Sequence, residues 1–143
     1  MAAFLDTGFF LSIAHPKDPN AARGGEILEE IGKKTFGILF TSDMVITEVM
    51  SLGWIRTRGD RKYMADLESL VWGESRLPKV VFIDAAILEE SRVCFSKYNQ
   101  DVTDKANFIS FVDVTSIVLC KKLRVDTIIS FDDHFDRFLT RVH

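Results

Sequence analysis

Val125-Asp126-Thr127-Ile128-Ile129-Ser130 runs directly into Phe131-Asp132-Asp133-His134-Phe135, so a β-branched stretch ends on a cluster of acids. A run of Val, Thr and Ile this short and apolar reads as a strand, Val125–Ser130. The segment before it, Asn107–Leu123, is long enough for a helix and carries apolar residues at helical spacing. A long helix leading into a buried strand is half of a crossover unit, and crossovers of this kind join parallel strands.

The same pattern recurs towards the N-terminus. Ala3–Leu5, Gly37–Phe40 and Val80–Ile83 are short apolar runs, each followed by a helix-like segment. The predicted helices are Phe9–Ala14, Ala21–Lys33, Asp43–Ile55, Arg61–Trp72, Ala85–Tyr98 and Asn107–Leu123, with a short one near His134–Leu139. Pro16 and Pro19 mark the His15–Asn20 segment as a loop. Strand–helix alternation of this kind predicts an α/β fold. Its form is a three-layer α/β/α sandwich around a central parallel sheet of four or five strands. With 143 residues and neither repeats nor a Pro- or Ser-rich linker, residues 1–143 are expected to form one domain.

Composition narrows the function. The chain is 47% hydrophobic with 12 Phe, which excludes a disordered or low-complexity protein. A formal net charge of −3 argues against a polybasic nucleic-acid binder, but not against a nuclease that concentrates carboxylates in its site. Cys94 and Cys120 stand alone, without the Cys/His grouping of a zinc site, and read as reduced thiols. Asp6 interrupts the N-terminal apolar run, and no uncharged stretch approaches the ~20 residues of a membrane span. The expectation is a soluble cytoplasmic protein without membrane contact.

Four predicted strands run into an aspartate: Asp6, Asp43, Asp84 and Asp132. Ligands of open parallel sheets bind beyond the carboxyl ends of the strands. Aspartate is also a favoured helix N-cap, which is the competing reading of each. Asp84 reads as a plain cap, and Ser42 and Asp43 as structural. At Asp6 the neighbouring Thr7 can cap instead, and Asp132 opens a segment with more acids than a cap needs. Asp6 and Asp132 are therefore the ligand candidates. Helical phase adds two more. Glu48 falls on the line Met44, Glu48, Leu52, Ile55, and Asp113 on the line Ile109, Asp113, Ile117, Cys120. Both lines are otherwise apolar, and buried carboxylates are either paired or hold a cation. A salt bridge to Arg or Lys is the alternative for each.

Together these segments resemble PIN-domain ribonucleases, most closely the VapC-like toxins of type II toxin–antitoxin pairs. The matching pieces are Phe4-Leu5-Asp6-Thr7, Ile46-Thr47-Glu48-Val49, Ser110 to Ser116 around Asp113, and Ile128-Ile129-Ser130-Phe131-Asp132-Asp133-His134-Phe135. Their order and rough spacing agree over nearly the whole chain. The resemblance assigns Asp6, Glu48, Asp113 and Asp132 as the four site acids, with Asp133 an adjacent alternative for the fourth. Ser130 keeps a hydroxyl where the family commonly has Thr, and Thr7 is a further supporting residue. His134 is expected on the surface or in a capping role.

The resemblance implies cleavage of RNA phosphodiesters with Mg²⁺ or Mn²⁺, Asp6 and Asp113 being the direct ligands. Hard cations of this kind take oxygen ligands and retain water, so a few carboxylates suffice. It also implies an antitoxin protein and a homodimer as partners, with Trp54, Ile55 and Leu70 as candidates for the apolar surface. Arg56, Arg58, Arg61 and Lys62 form the best basic patch for RNA phosphates. Lys121, Lys122 and Arg124 instead suit a helix C-terminus.

Two carboxylates ~5 Å apart repel by roughly 3 kcal/mol at an effective dielectric near 20. At least one site acid is therefore expected to hold a proton without a cation, and Asp113→Asn to raise the metal-free melting temperature. Within the nuclease reading, an RNA-processing enzyme that is not a toxin is the alternative, and two further readings compete. Haloacid-dehalogenase-like phosphatases need an Asp-x-Asp that Asp6-Thr7-Gly8 lacks. A degenerate PIN-like binding module would be expected to have lost acids that are all present here.

Overall fold

Ala3, Phe4 and Leu5 are all completely buried, although consecutive strand residues point to opposite faces. Both faces of this strand are therefore covered, as in a sheet packed between two helical layers. The computed structural model, which describes residues 1–143, has this architecture. Strand β1 (Ala2–Leu5) is central, between β2 (Ile38–Ser42) and β4 (Thr127–Ile129). The edges are β3 (Lys79–Val81) and β5 (Thr140–Val142), and every pairing is parallel, in the order β3-β2-β1-β4-β5.

The connections are helical. Helices α1 (Thr7–Ala14) and α2 (Ala21–Gly32) link β1 to β2, and α3 (Asp43–Thr57) and α4 (Arg61–Val71) link β2 to β3. Helices α5 (Ala85–Asn99) and α6 (Phe111–Leu123) link β3 to β4. The first four helices pack among themselves, and α5 packs on α6. Strand order reverses at β1, whose neighbours β2 and β4 lead the chain to opposite edges. The crevice beyond the carboxyl ends of β1 and β4 is thus a topological switch point, where open α/β sheets place ligands. Register sets Leu5 beside Ile129, so Asp6 and Ser130 leave the sheet side by side.

The fold class is as expected, with five strands, but several boundaries move. The predicted helix from Asn107 begins at Phe111. The Ser110 hydroxyl accepts the Asp113 N–H at 3.1 Å and caps it, while Lys105–Asn107 forms a separate 3₁₀ turn capped by Asp104. Ile109 therefore precedes α6, although it is fully buried as expected. The predicted strand Val125–Ser130 contracts because Arg124 closes α6 in a left-handed conformation, and the Val125 N–H still bonds back to Cys120. Helix α1 starts at Thr7 rather than Phe9, and Thr7 does not cap it. The segment near His134 is a 3₁₀ turn, Asp133–Arg137. Strand β5 has only three residues, too few to show alternation; it is defined by pairing with β4.

No helix is long and apolar enough to cross a membrane. Both cysteines are free thiols, Cys120 in the core and Cys94 half-buried.

Candidate active site

Caps and ligand candidates separate by their hydrogen bonds. Asp84 accepts the Ile87 N–H at 2.8 Å and is a cap, as read. Ser42 caps α3 through the Val45 N–H, while Asp43 accepts from the Ile83 N–H, 40 residues away, and fastens the exit of β3. Asp6 and Asp132 also sit at N-cap positions, yet neither side chain makes a capping bond. Their carboxylates are turned to other work.

Asp6 leaves β1 and is 5% exposed. Its Oδ2 accepts the Ser130 hydroxyl at 2.7 Å, whereas Oδ1 is buried without any hydrogen-bond partner. Burial, and then the nearby Asp113 carboxylate, push the Asp6 carboxyl up to about 7, against the opposing pull of Ser130. Burial first, and the neighbouring carboxylates second, make Asp6 the site acid most ready to hold a proton. Ser130 also accepts the Asp132 N–H at 3.1 Å, so one hydroxyl orients both acids at the ends of β1 and β4.

Asp113 lies in the first turn of α6 and is buried. Neither Lys nor Arg pairs with it. Its partner is His134, whose Nε2 lies 2.9 Å from Asp113 Oδ2 while Nδ1 lies 3.1 Å from Asp132 Oδ1. Hydrogen bonds to Asp113, then to Asp132, push the His134 imidazole up to about 10, so both ring nitrogens donate at neutral pH. The expected surface or capping role of His134 is therefore corrected: its side chain is 11% exposed and joins two site acids. The signal was its position two residues after Asp132, on a tight turn that brings both to one place. The pairing also corrects the stability expectation for Asp113→Asn, which would break this ion pair.

Glu48 enters from α3, with Oε2 accepting the Thr7 hydroxyl at 2.5 Å. The line on which it was placed is not the core line. Ile55 is exposed, and Met44 and Leu52 only half-buried; Val45, Val49 and Gly53 form the buried stripe. Glu48 lies on its flank, facing the cleft rather than the interior.

All four acids, with Thr7 and His134, line one cleft of about 390 Å³. Asp133 is exposed and outside it, so of the two adjacent acids Asp132 is the one in the cleft. Phe108 forms part of the wall, braced edge-on by Phe95 at 5.8 Å; sequence patterning had not singled it out. The basic patch does not stay together. Arg56 lines the cleft, Arg58 lines a neighbouring recess, and Arg61 and Lys62 are exposed and line neither. The left-handed Arg58 and Gly59 turn the chain between them, sending α4 away. Lys121 and Lys122 lie in the last turn of α6, as expected. Trp54 and Ile55 are 60% and 69% exposed, whereas Leu70 packs against the core.

The donor set fits a divalent cation. Asp6 carries an unpartnered buried carboxylate oxygen, and the charge of the buried Asp113 carboxylate acts on the same group. The Asp113 and Asp132 carboxylates lie within 4.8 Å of each other, bridged by the His134 imidazole, which donates to both and so is not itself a ligand. Carboxylate oxygens suit Mg²⁺ or Mn²⁺.

Residues 3–138 match the family model of the PIN domain. The chain is similar to the crystal structure of VapC20 of Mycobacterium tuberculosis, a toxin that cleaves the sarcin-ricin loop. The TM-score is 0.73 at 20% identity, over 94% of this chain and 93% of that one. It is also similar to FitAcB from Neisseria gonorrhoeae, with a TM-score of 0.63 at 17% identity, over 99% and 96% of the two chains. At these identities the likeness is one of fold. No curated protein matches the sequence.

Proposed function

The chain belongs to the PIN domain family, and from that premise we propose that its cleft is the site of a Mg²⁺- or Mn²⁺-dependent ribonuclease acting as a toxin of the VapC type. The observation that carries this reading is the buried, unpartnered Asp6 Oδ1 beside Asp113, in a cleft lined by two further acids. Asp6 and Asp113 would hold the ion, and Glu48 and Asp132 would bind water around it. The bound ion supplies positive charge to phosphoryl oxygens and acidifies water for attack on phosphorus.

The chain's own residues do the positioning. The Ser130 hydroxyl commits Asp6 Oδ2 and leaves Oδ1 for the cation. Thr7 fixes Glu48 by its Oε2 and leaves the other oxygen available. His134 holds Asp113 and Asp132 at a set separation and offsets part of their charge. Because Asp6 titrates near neutrality, cation binding must displace its proton, so affinity for the ion rises with pH between about 6 and 8.

RNA as the substrate is supported by VapC20, the similarly folded toxin that cleaves the sarcin-ricin loop. The same reading has an antitoxin and a second copy as partners, with Trp54 and Ile55 offering exposed apolar surface on α3. A cleavage assay on end-labelled single-stranded RNA tests the proposal. Wild-type protein should cut with Mg²⁺ or Mn²⁺ and not with EDTA, and Asp6→Asn and Asp113→Asn should remain folded but inactive. Cutting in EDTA, or full activity of both variants, would overturn it.

A further inference from the structure

A second recess, of about 520 Å³, adjoins the acidic cleft, and Arg56 lines both. Its walls come from two places far apart in sequence. The loop after α1 contributes His15 and Lys17, and the end of α3 with the start of α4 contributes Arg56, Arg58, Asp60 and Tyr63. The His15 and Tyr63 rings meet edge-on at 4.9 Å, and both line the recess.

Charge in this recess is unbalanced. Asp60 is its one acid, and that carboxylate is occupied in capping α4, accepting the Lys62 N–H at 2.9 Å and the Tyr63 N–H at 3.3 Å. Arg56 pairs with Asp18 Oδ2 at 3.6 Å, while the other Asp18 oxygen accepts the Asn20 N–H at 2.8 Å. Lys17 and Arg58 are exposed and pair with no carboxylate. Lys17 and Arg58 thus bring unpaired positive charge, beside the paired Arg56, to a recess adjoining the acidic cleft of a protein whose net charge is −3. The local field there favours a polyanion.

Resting on the ribonuclease reading of the cleft, we propose that this recess binds the phosphate backbone of the RNA strand where it extends beyond the cleft, with Lys17 and Arg58 as the phosphate contacts and Arg56 as the shared wall. A polyanion whose charges continue beyond the cleaved bond fits two adjoining recesses, one built for a cation and one already cationic. The aromatic pair suits a nucleic acid better than an acidic peptide, because ring faces and edges also receive bases. The assignment moves the RNA track away from Arg61 and Lys62, and adds Lys17, which lies 39 positions before Arg56 in the chain.

The test is fluorescence anisotropy with a labelled 15-nucleotide single-stranded RNA in EDTA, at several KCl concentrations. Lys17→Ala/Arg58→Ala should weaken binding roughly tenfold or more and lower the log–log salt slope by about 1.4, the loss of two single-strand phosphate contacts. The control Lys121→Ala/Lys122→Ala, at the far end of α6, should leave both unchanged. Unchanged RNA binding in the first variant overturns the proposal, as does an equal loss in both. Loss of poly-glutamate binding with RNA binding intact overturns it in favour of an acidic peptide. Binding is read without cleavage, so failure of the nuclease reading shows as absent cutting with this pattern intact. Failure of the recess shows as unchanged binding by a protein that still cuts.

Discussion

Asp6→Asn is expected to raise the stability of the metal-free protein at pH 8 by on the order of 2 kcal/mol, and to remove most of the stabilisation that Mg²⁺ gives the wild type. Both effects come from one carboxylate. The folded protein holds the Asp6 carboxyl at about 7, above its ordinary value of 3.8, because it is buried beside Asp113. Between those values the native state binds more protons than the unfolded chain, so wild-type stability falls as pH rises from about 4 to 7 and stays low above. Asparagine carries no charge to desolvate, and its carbonyl can still accept the Ser130 hydroxyl. The gain should therefore shrink towards pH 5. Cation binding to the native state adds RT ln(1 + [L]/Kd), about 2.7 kcal/mol at a hundredfold excess. The variant lacks the ligand and should lose that increment. Thermal melts of both proteins at pH 5 and pH 8, with and without Mg²⁺, check all four values. A destabilised variant with an unchanged Mg²⁺ response would make Asp6 a structural residue.

The second large effect concerns His134. His134→Ala should destabilise the metal-free protein at pH 6 by roughly 1–3 kcal/mol, the range for hydrogen bonds to charged groups. Removing the imidazole leaves Asp113 buried beside Asp6 with no counter-charge. The sign follows from linkage. The folded value, about 10, lies above the ordinary 6.5, so the contribution is fully present below about 6.5 and is lost as pH rises through about 10. Urea unfolding of wild type and variant at pH 6, 8 and 10 should show the difference diminishing across the series. A constant difference would assign His134 to packing alone, and no difference at pH 6 would remove it from the acid cluster.

Much of the site was legible because its residues break local rules. Asp113 interrupts an apolar helical line, Asp132 opens a segment with more acids than a cap needs, and Asp6 stands at a cap position without capping, although Thr7 does not cap α1 in its place. These signals lie within one element each, where period and capping chemistry can be read directly. What escaped depends on chain geometry between elements. His134 reads as a polar surface residue until the 3₁₀ turn after β4 folds its ring back towards α6. The Arg56–Lys62 run reads as one patch until the left-handed turn at Arg58 and Gly59 divides it. The apolar line through Glu48 is not the buried one; Glu48 reaches the cleft because α3 presents its flank there and the Thr7 hydroxyl donates to it. The sheet was readable as parallel from its helical connections, whereas β5 exists only through its pairing with β4.

The claim on which the account rests is that Asp6 and Asp113 together hold a divalent cation. Calorimetric titration of Mn²⁺ at pH 8 into wild type, Asp6→Asn and Asp113→Asn tests it without reference to any substrate. A saturable site is expected in the wild type, with affinity lower by roughly tenfold or more in each variant. Equal affinity in all three proteins would contradict it.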